Sequence, residues 1–278
     1  MPALSRSYTS DHVLRSDGAV EFACSQDVAE WPWLALAPQH PLTLQTQNFW
    51  TSVGATQALG QRDDSKWSAL TWTNWELGEI GAGRATHGFM RNQNDEEKLN
   101  FEIELFDVDN RQIAIIRGKG VVFRNRNFEQ WREGSKIKAR TKKIAPTEFV
   151  YSDRRKLGLS KIEPPLIAPI IQANDGSLSS AALVTKANGL IPGHPYFSGS
   201  GDHVNAPHLS EIARQVVSLV NDGEAISITK GEMDMHRYIE FGTPIAIAVE
   251  RSGDQRLSVA ISQLDRSCAK ISMEWHNA

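Results

Sequence analysis

Polar side chains that transfer protons or bind anions cluster in one short stretch of the second half of the chain. They are His194, Asp202, His203, His208, Glu211, Arg214 and Gln215. A histidine and a carboxylate beside an apolar surface are the groups that proton transfer next to a thioester carbonyl requires. Tyr196 and Phe197, which follow His194, would line a substrate pocket together with Asp202 and His208. The stretch therefore indicates a catalytic site, with Glu211, His194, His203, Arg214 and Gln215 as its candidate catalytic residues.

A helix over Pro207–Val220 must position these groups. Its apolar stripe comprises Leu209, Ile212, Ala213, Val216, Val217 and Val220. Asn205 is placed to cap the helix, and Pro207 suits its first turn. Helical spacing puts Glu211, at the margin of the stripe, one turn from His208 and one turn from Gln215. Such a carboxylate is either paired or has a raised pKa, because desolvation disfavours its charged form. The first-turn N–H groups are expected to polarise a carbonyl.

Each of these residues also has a structural interpretation. A glutamate with an arginine three residues later, as Glu211 and Arg214 are, often forms only a surface pair. The His194-Pro195 dipeptide is common in turns. The functional interpretation depends on how closely these residues follow one another in the sequence, just before and within one helix that is expected to be buried.

The rest of the chain predicts a second helix and several strands. The first half contains a helix candidate at Leu44–Leu59, stopped by Gly60. Alternating or β-branched runs predict strands at 67–77, 99–106, 112–123, 225–229, 243–250, 257–264 and 269–275. Both halves share one long helix followed by strands, which predicts an α+β fold with two central helices, each wrapped by an antiparallel sheet.

A weak internal repeat accompanies this shared plan. When Ser52–Gln57 is aligned with Ser210–Gln215, Ser, Ala and Gln coincide, while Val53 and Thr56 stand at the places of Glu211 and Arg214. The first half therefore lacks the polar motif. Pairing two such units would cover a sheet edge and create a crevice between them.

A basic segment, Arg124–Lys161, separates the two halves, and its densest part is Lys136–Lys143. One interpretation is a solvated linker or an exposed strand with lysines outward. The alternative is a docking strip for an acidic partner, either an acyl carrier protein or the phosphates of coenzyme A.

Composition narrows the function classes. The chain has 278 residues and a formal net charge of -3, so bulk electrostatics do not favour nucleic acid. Two cysteines, Cys24 and Cys268, argue against a disulfide framework. The chain shows neither a signal peptide nor an apolar run of the ~20 residues that a membrane helix needs. We expect a cytoplasmic protein without membrane attachment. The histidines and cysteines show no metal-ligand spacing and no phosphate-binding loop is evident, so no metal or cofactor is predicted.

The string from His194 to Val216 resembles the AfsA family of hotdog proteins, which make γ-butyrolactone signals. The resembling features are His194-Pro-Tyr-Phe, Asp202-His203 and the helix sequence Glu211-x-x-Arg-Gln215. The resemblance implies a double hotdog, with an N-terminal domain at 1–125, a basic linker region at 126–180 and an AfsA-like domain at 181–278. It also implies that Glu211 is the central acidic residue, with His194 and His203 as the family histidines.

Three functions remain open. The resemblance implies transfer of a β-ketoacyl group from acyl carrier protein or coenzyme A to a small hydroxylated acceptor such as glycerone phosphate. A 3-hydroxyacyl-thioester dehydratase or a thioesterase of secondary metabolism fits the order of histidine before glutamate. A non-catalytic acyl-binding module fits the loss of polar residues from the first half. A double hotdog satisfies sheet pairing within one chain, so either a monomer or a homodimer is expected.

Overall fold

The computed structural model describes residues 7–61, 66–93, 98–123, 128–185, 188 and 203–277. The chain forms two compact units, Met1–Arg126 (unit 1) and Asn127–Ala278 (unit 2). Each unit combines a long helix with an antiparallel sheet, as the sequence predicts for an α+β protein.

Unit 1 contains one antiparallel sheet. Its strands are β1 (Thr9–Leu14), β2 (Val20–Cys24), β3 (Trp67–Leu77), β4 (His87–Asn92), β5 (Lys98–Phe106) and β6 (Gln112–Phe123), paired in the order β1-β2-β4-β5-β6-β3. Along β5 the residues Phe101, Ile103 and Leu105 are buried on one face, as strand alternation requires. The β5–β6 hairpin turns at Asn110, which adopts a positive φ of 59°. The strands predicted at 67–77, 99–106 and 112–123 are confirmed.

The helix of unit 1, α1 (Pro41–Ala58), is buried on nearly every side. Its N-cap is His40, whose ring accepts a hydrogen bond from the backbone N–H of Leu42. Trp31 and Trp33 of the preceding segment are fully buried, and the Trp31 ring packs edge-on against Trp50 at 4.8 Å between centroids. The sequence correctly predicts a helix here, but it begins at Pro41, three residues before the predicted start.

Unit 2 contains a second antiparallel sheet. Its strands are β7 (Ile171–Gln172), β8 (Leu178–Ala182), β10 (Ile226–Met235), β12 (Ile245–Arg251), β13 (Arg256–Gln263) and β14 (Arg266–Asn277), paired in the order β10-β14-β13-β12-β8-β7. Two short strands, β9 (His203–Val204) and β11 (Ile239–Glu240), pair separately. The four C-terminal strands that the sequence predicts are present, with ends shifted by several residues at most.

Two helices accompany the sheet of unit 2, α2 (Phe128–Thr141) and α3 (Ala206–Val220). The basic segment Arg124–Lys161, expected as a solvated linker or an exposed strand, instead contains the helix α2, and its residues from Asn127 onward cluster with unit 2. The physical reason is that α2 has a side that must be buried, since Arg132 and Ala139 are each only 1% exposed. A run of lysines and arginines conceals this amphipathic character in the sequence.

Two further expectations concern the chain as a whole. In the described part of the chain, no helix is both long enough and apolar enough to cross a membrane. Cys24 and Cys268 are buried free thiols, and burial raises the pKa of Cys24 to about 12. Neither thiol is therefore a ready nucleophile.

Candidate functional site

Helix α3 positions the candidate site, and both its apolar and its polar side chains are buried. Leu209, Ile212, Ala213, Val216 and Val217 are at most 3% exposed, and the helix packs on β10 and β14. Its polar side chains are buried as well: Glu211 and Gln215 are 0% exposed, and Arg214 is 6% exposed. Burying charged groups costs free energy unless they are paired.

Glu211 and Arg214 form a bidentate salt bridge one turn apart on α3. Arg214 Nε donates to Glu211 Oε2 at 2.8 Å, and Arg214 Nη2 donates to Glu211 Oε1 at 2.7 Å. Two parallel charge-assisted hydrogen bonds fix the plane of the carboxylate as well as its position. The sequence left open whether this carboxylate is paired, and the structure shows that it is.

A second carboxylate, Glu163, contacts the same guanidinium. Arg214 Nη2 lies 3.2 Å from Glu163 Oε1, and Glu163 Oε2 accepts from the backbone N–H of Ser160 at 2.9 Å. Burial opposes the charge of Arg214. The attraction and hydrogen bonds of Glu211, together with the charge of Glu163, outweigh that cost and raise the pKa of Arg214 above its usual value. Arg214 thus forms salt bridges with two buried carboxylates.

Gln215 ties α3 to the loop that carries Glu163. Its side-chain oxygen accepts from the backbone N–H of Leu166 at 2.9 Å, and its Nε2 donates to the carbonyl of Pro164 at 2.9 Å. The same Nε2 donates to Glu211 Oε1 at 2.8 Å. Gln215 therefore holds the loop and the Glu211 carboxylate in one hydrogen-bonded unit.

His208 forms a capping box with the N-cap residue Asn205 at the start of α3. The backbone N–H of Asn205 donates to His208 Nδ1 at 3.2 Å, and the Asn205 side chain accepts from the backbone N–H of His208, a capping box. Leu209 N–H donates to the Asn205 carbonyl at 3.1 Å, and Pro207 has no N–H. The helix start is thus largely satisfied internally, which weakens the expectation that it polarises a carbonyl.

His203 lies on β9, in a cluster of unit 2 that also contains Tyr238, Arg132 and Glu240. The His203 ring packs edge-on against the Tyr238 ring, with 4.7 Å between their centroids. The Arg132 guanidinium also lies over the Tyr238 ring, 4.7 Å from its centroid. Arg132 Nη2 also donates to Glu240 Oε2 at 2.8 Å, with both side chains buried. In the antiparallel β9–β11 pair, the strand register places Glu240 opposite His203.

The structure thus brings together Glu211, Arg214 and Gln215, and it puts His208 at the start of the same helix. His194, Tyr196, Phe197 and Asp202 lie outside the described residues. Sequence reasoning missed Glu163 and the Arg132–Glu240 pair. Glu240 carries a usable signal, because it is a lone acid between Ile239 and Phe241. Glu163 carries none, since only the folded loop brings it to Arg214.

The polar positions of α1 follow a different register from the one that the repeat predicts. Counted from the proline in the first turn of each helix, Gln45 corresponds to Glu211 and Asn48 to Arg214. Asn48 Nδ2 donates to Gln45 Oε1 at 3.2 Å, and both side chains are at most 2% exposed. By this count, unit 1 holds a neutral amide pair where unit 2 holds a salt bridge. The alignment that matched Val53 with Glu211 misses this correspondence.

Comparison with known proteins gives the fold. No protein-family model matches the sequence, and no curated protein matches it significantly. The chain is similar to the crystal structure of an acyl-ACP thioesterase from Bacteroides thetaiotaomicron, with a TM-score of 0.58 and 12% identity over 93% of this chain and 97% of that one.

Two further solved structures are similar over most of their length. The 12:0-ACP thioesterase from Umbellularia californica gives a TM-score of 0.52 at 9% identity, covering 94% of this chain and 97% of that chain. A protein described as an oleoyl thioesterase from Lactobacillus plantarum gives 0.52 at 14% identity, covering 85% and 88%. At these identities the likeness speaks only to the fold, and the fold that it gives this chain is the hotdog fold.

Proposed function

We propose that the chain is a double hotdog enzyme that hydrolyses a fatty-acyl thioester carried by an acyl carrier protein, with Glu211 as its central catalytic residue. The observation that carries the proposal is the Glu211 carboxylate, fully buried on α3 and held by Arg214 and Gln215. Support for the substrate class comes from the similar structures above, two of which are acyl-ACP thioesterases. They support hydrolysis better than transfer to an acceptor.

In the proposed reaction, water attacks the thioester carbonyl and gives a proton to the Glu211 carboxylate. The tetrahedral intermediate then collapses, the carbon–sulfur bond breaks, and the sulfur takes that proton. The products are a free fatty acid and a thiol, so no further reactant is needed. A positioned carboxylate typically contributes about 10²- to 10⁴-fold to such a proton transfer.

The surrounding residues have supporting roles in this proposal. Arg214 and Gln215 are positioning residues, because they hold the carboxylate plane rather than the substrate. His194 and His203 are proposed to assist proton transfer, while Tyr196, Phe197, Asp202 and His208 are proposed to contact the acyl thioester.

Transfer of the acyl group to a hydroxylated acceptor is the second candidate. The observation that favours it is that Glu211, Arg214 and Gln215, the residues shared with the AfsA helix sequence, form one hydrogen-bonded unit rather than a surface pair. In that reaction a hydroxyl oxygen of the acceptor, such as glycerone phosphate, replaces water as the attacking atom.

A thiol-release assay on acyl carrier protein loaded with different acyl chains tests the proposal. Thiol release without an acceptor supports hydrolysis, whereas release and ester formation only with glycerone phosphate support transfer. Conversion of a 3-hydroxyacyl thioester to an enoyl thioester without thiol release would instead indicate dehydration. No change in any of these substrates would leave the acyl-binding interpretation and contradict the proposal.

The glutamate is tested by Glu211→Gln, with Glu250→Gln on the exposed side of β12 as the matched control. We expect kcat to fall by at least about 100-fold for the first variant and to stay within twofold for the control. Acyl binding measured on both variants separates a lost catalytic group from a lost fold. Unchanged turnover in a folded Glu211→Gln protein would remove Glu211 from the mechanism.

A further inference from the structure

One side of α2 is firmly attached to the rest of unit 2. The buried Arg132–Glu240 salt bridge lies near its first half, and the Thr243 hydroxyl donates to the carbonyl of Ala139 near its end at 2.9 Å. The Arg132 guanidinium also stacks on the Tyr238 ring. These contacts hold α2 in a fixed orientation.

The opposite side of α2 and the residues after it form an exposed basic surface, which consists of Ile137, Lys138, Arg140, Lys142 and Lys143. Ile137 is 52% exposed, so an apolar side chain stands among four cations. The only acid that contacts them in the described part of the chain is Glu133, 3.4 Å from Arg140. The surface is positive although the whole chain has a formal net charge of -3.

A purely structural role explains part of this charge. Lys138 and Arg140 lie in the last turn of α2, where cations interact favourably with the helix dipole. Lys142 and Lys143 follow the last helical residue, where that benefit fades, and both are exposed. The dipole also gives no reason to expose Ile137 among the cations.

The shape of the surface decides between two anionic partners. Small phosphate-bearing molecules bind in concave sites, often at a helix N-terminus, where N–H groups point outward. The basic surface is the convex outer side of a helix near its C-terminus, where the dipole is negative. An apolar side chain surrounded by a polar, solvent-accessible rim is instead an arrangement found in protein–protein interfaces. These features favour an acidic protein over coenzyme A.

We propose that the basic surface of α2 docks the acidic carrier protein that delivers the acyl thioester. The inference depends on the proposed function, since it names the partner for that reaction. Charge complementarity would speed the encounter and orient the carrier, so its effect should appear in KM for the carrier-bound substrate and weaken as salt increases.

The test compares two charge reversals of equal size. The docking variant is Lys138→Glu/Lys142→Glu/Lys143→Glu, and the control is Arg251→Glu/Arg266→Glu/Lys270→Glu, three exposed cations on the strands of unit 2. Each is assayed with acyl carrier protein substrate and with the same acyl group on pantetheine. We expect the docking variant to raise KM for acyl carrier protein at least tenfold, and both variants to leave KM for acyl-pantetheine unchanged.

Binding of fluorescently labelled carrier protein without an acyl chain gives a readout that is independent of catalysis. We expect it to weaken at least tenfold for the docking variant and less than twofold for the control. Equal weakening in both variants would overturn the proposal, because bulk charge would then explain it. An equal rise in KM for acyl-coenzyme A and for acyl carrier protein would overturn it in favour of phosphate binding.

Two outcomes separate the docking inference from the proposed function. If the wild-type chain cleaves no thioester but binds the carrier through α2, the proposed reaction fails and the docking surface stands. If it cleaves acyl-pantetheine and the docking variant handles acyl carrier protein normally, the reaction stands and the docking surface fails. The milder variant Lys138→Gln/Lys142→Gln/Lys143→Gln, expected to give an intermediate effect, replaces the reversal if the latter lowers the melting temperature.

Discussion

Arg214 joins Glu211 through two parallel hydrogen bonds of 2.8 and 2.7 Å, and it does so inside the protein. Removing one partner of such a pair leaves the other charge buried and uncompensated, which typically costs about 3–5 kcal/mol. Because Glu163 contacts the same guanidinium, the arginine has two carboxylates to compensate.

Arg214→Met should strongly destabilise the chain, by about 3–5 kcal/mol in the free energy of unfolding measured with denaturant. Adding Glu163→Gln to that variant should recover part of the loss, since one buried carboxylate fewer then lacks a cation. The control is Arg256→Met, an exposed arginine on β13. Equal, small effects of both arginine substitutions would show that the buried pair contributes nothing to stability.

Gln215→Met should loosen the loop that carries Glu163 while leaving α3 folded. The substitution removes the acceptor of the Leu166 N–H and the donor to the Pro164 carbonyl, and each buried unpaired group costs about 1–3 kcal/mol. Hydrogen exchange at the Leu166 amide should therefore accelerate at least tenfold. Gln255→Met, at an exposed position, is the control and should leave that amide unchanged.

The sequence predicts α3 well because the features that specify this helix all lie within one short segment. Its cap Asn205, its proline and its apolar stripe all act within one segment, and the observed helix begins one residue from the predicted start. The strands 67–77 and 112–123 are predicted for the same reason, since alternation and turn residues are local properties. Local patterns thus predict individual elements.

Contacts between distant segments could not be predicted in this way. Glu163 lies in an irregular loop, and Arg132 reaches Glu240 across a sequence separation of 108 residues. The buried side of α2 is concealed in the sequence because one of the two described residues buried on it, Arg132, is charged. A charged residue signals exposure in a sequence unless its partner is known.

Helix α1 shows the same limit, because it buries polar residues that a sequence pattern would place outside. Thr46 and Thr51 are both at most 1% exposed, but they differ in pairing. The Thr46 hydroxyl donates to the Leu42 carbonyl at 2.7 Å, whereas the Thr51 hydroxyl has no partner among the described residues.

This difference gives a matched pair of variants. Thr51→Val should stabilise the chain by about 1 kcal/mol, because it removes a buried hydroxyl that lacks a hydrogen bond. The melting temperature should then rise by about 2–4 °C. Thr46→Val, which removes a hydroxyl that is paired, should give no rise. A rise of the same size in both variants would indicate that valine simply packs better in α1, and that pairing is irrelevant.

Asp107, at the β5–β6 turn, should make unit 1 sensitive to acid. The Gly83 N–H donates to its carboxylate at 2.7 Å, and this bond, with those from Arg111 and Asp109, lowers the pKa of Asp107 to about 2 despite the opposing effect of burial. A depressed folded-state pKa means that the carboxylate stabilises the fold above its ordinary pKa of 3.8. That stability is lost as the pH falls from about 4 towards 2.

Asp107→Asn should lower stability at pH 7 and flatten its dependence on pH across this window. Denaturant unfolding of both proteins at pH 7, 4, 3 and 2 measures the slope, with Asp109→Asn at the exposed neighbouring position as the control. Parallel pH profiles for the wild type and Asp107→Asn would mean that another carboxylate controls the acid response.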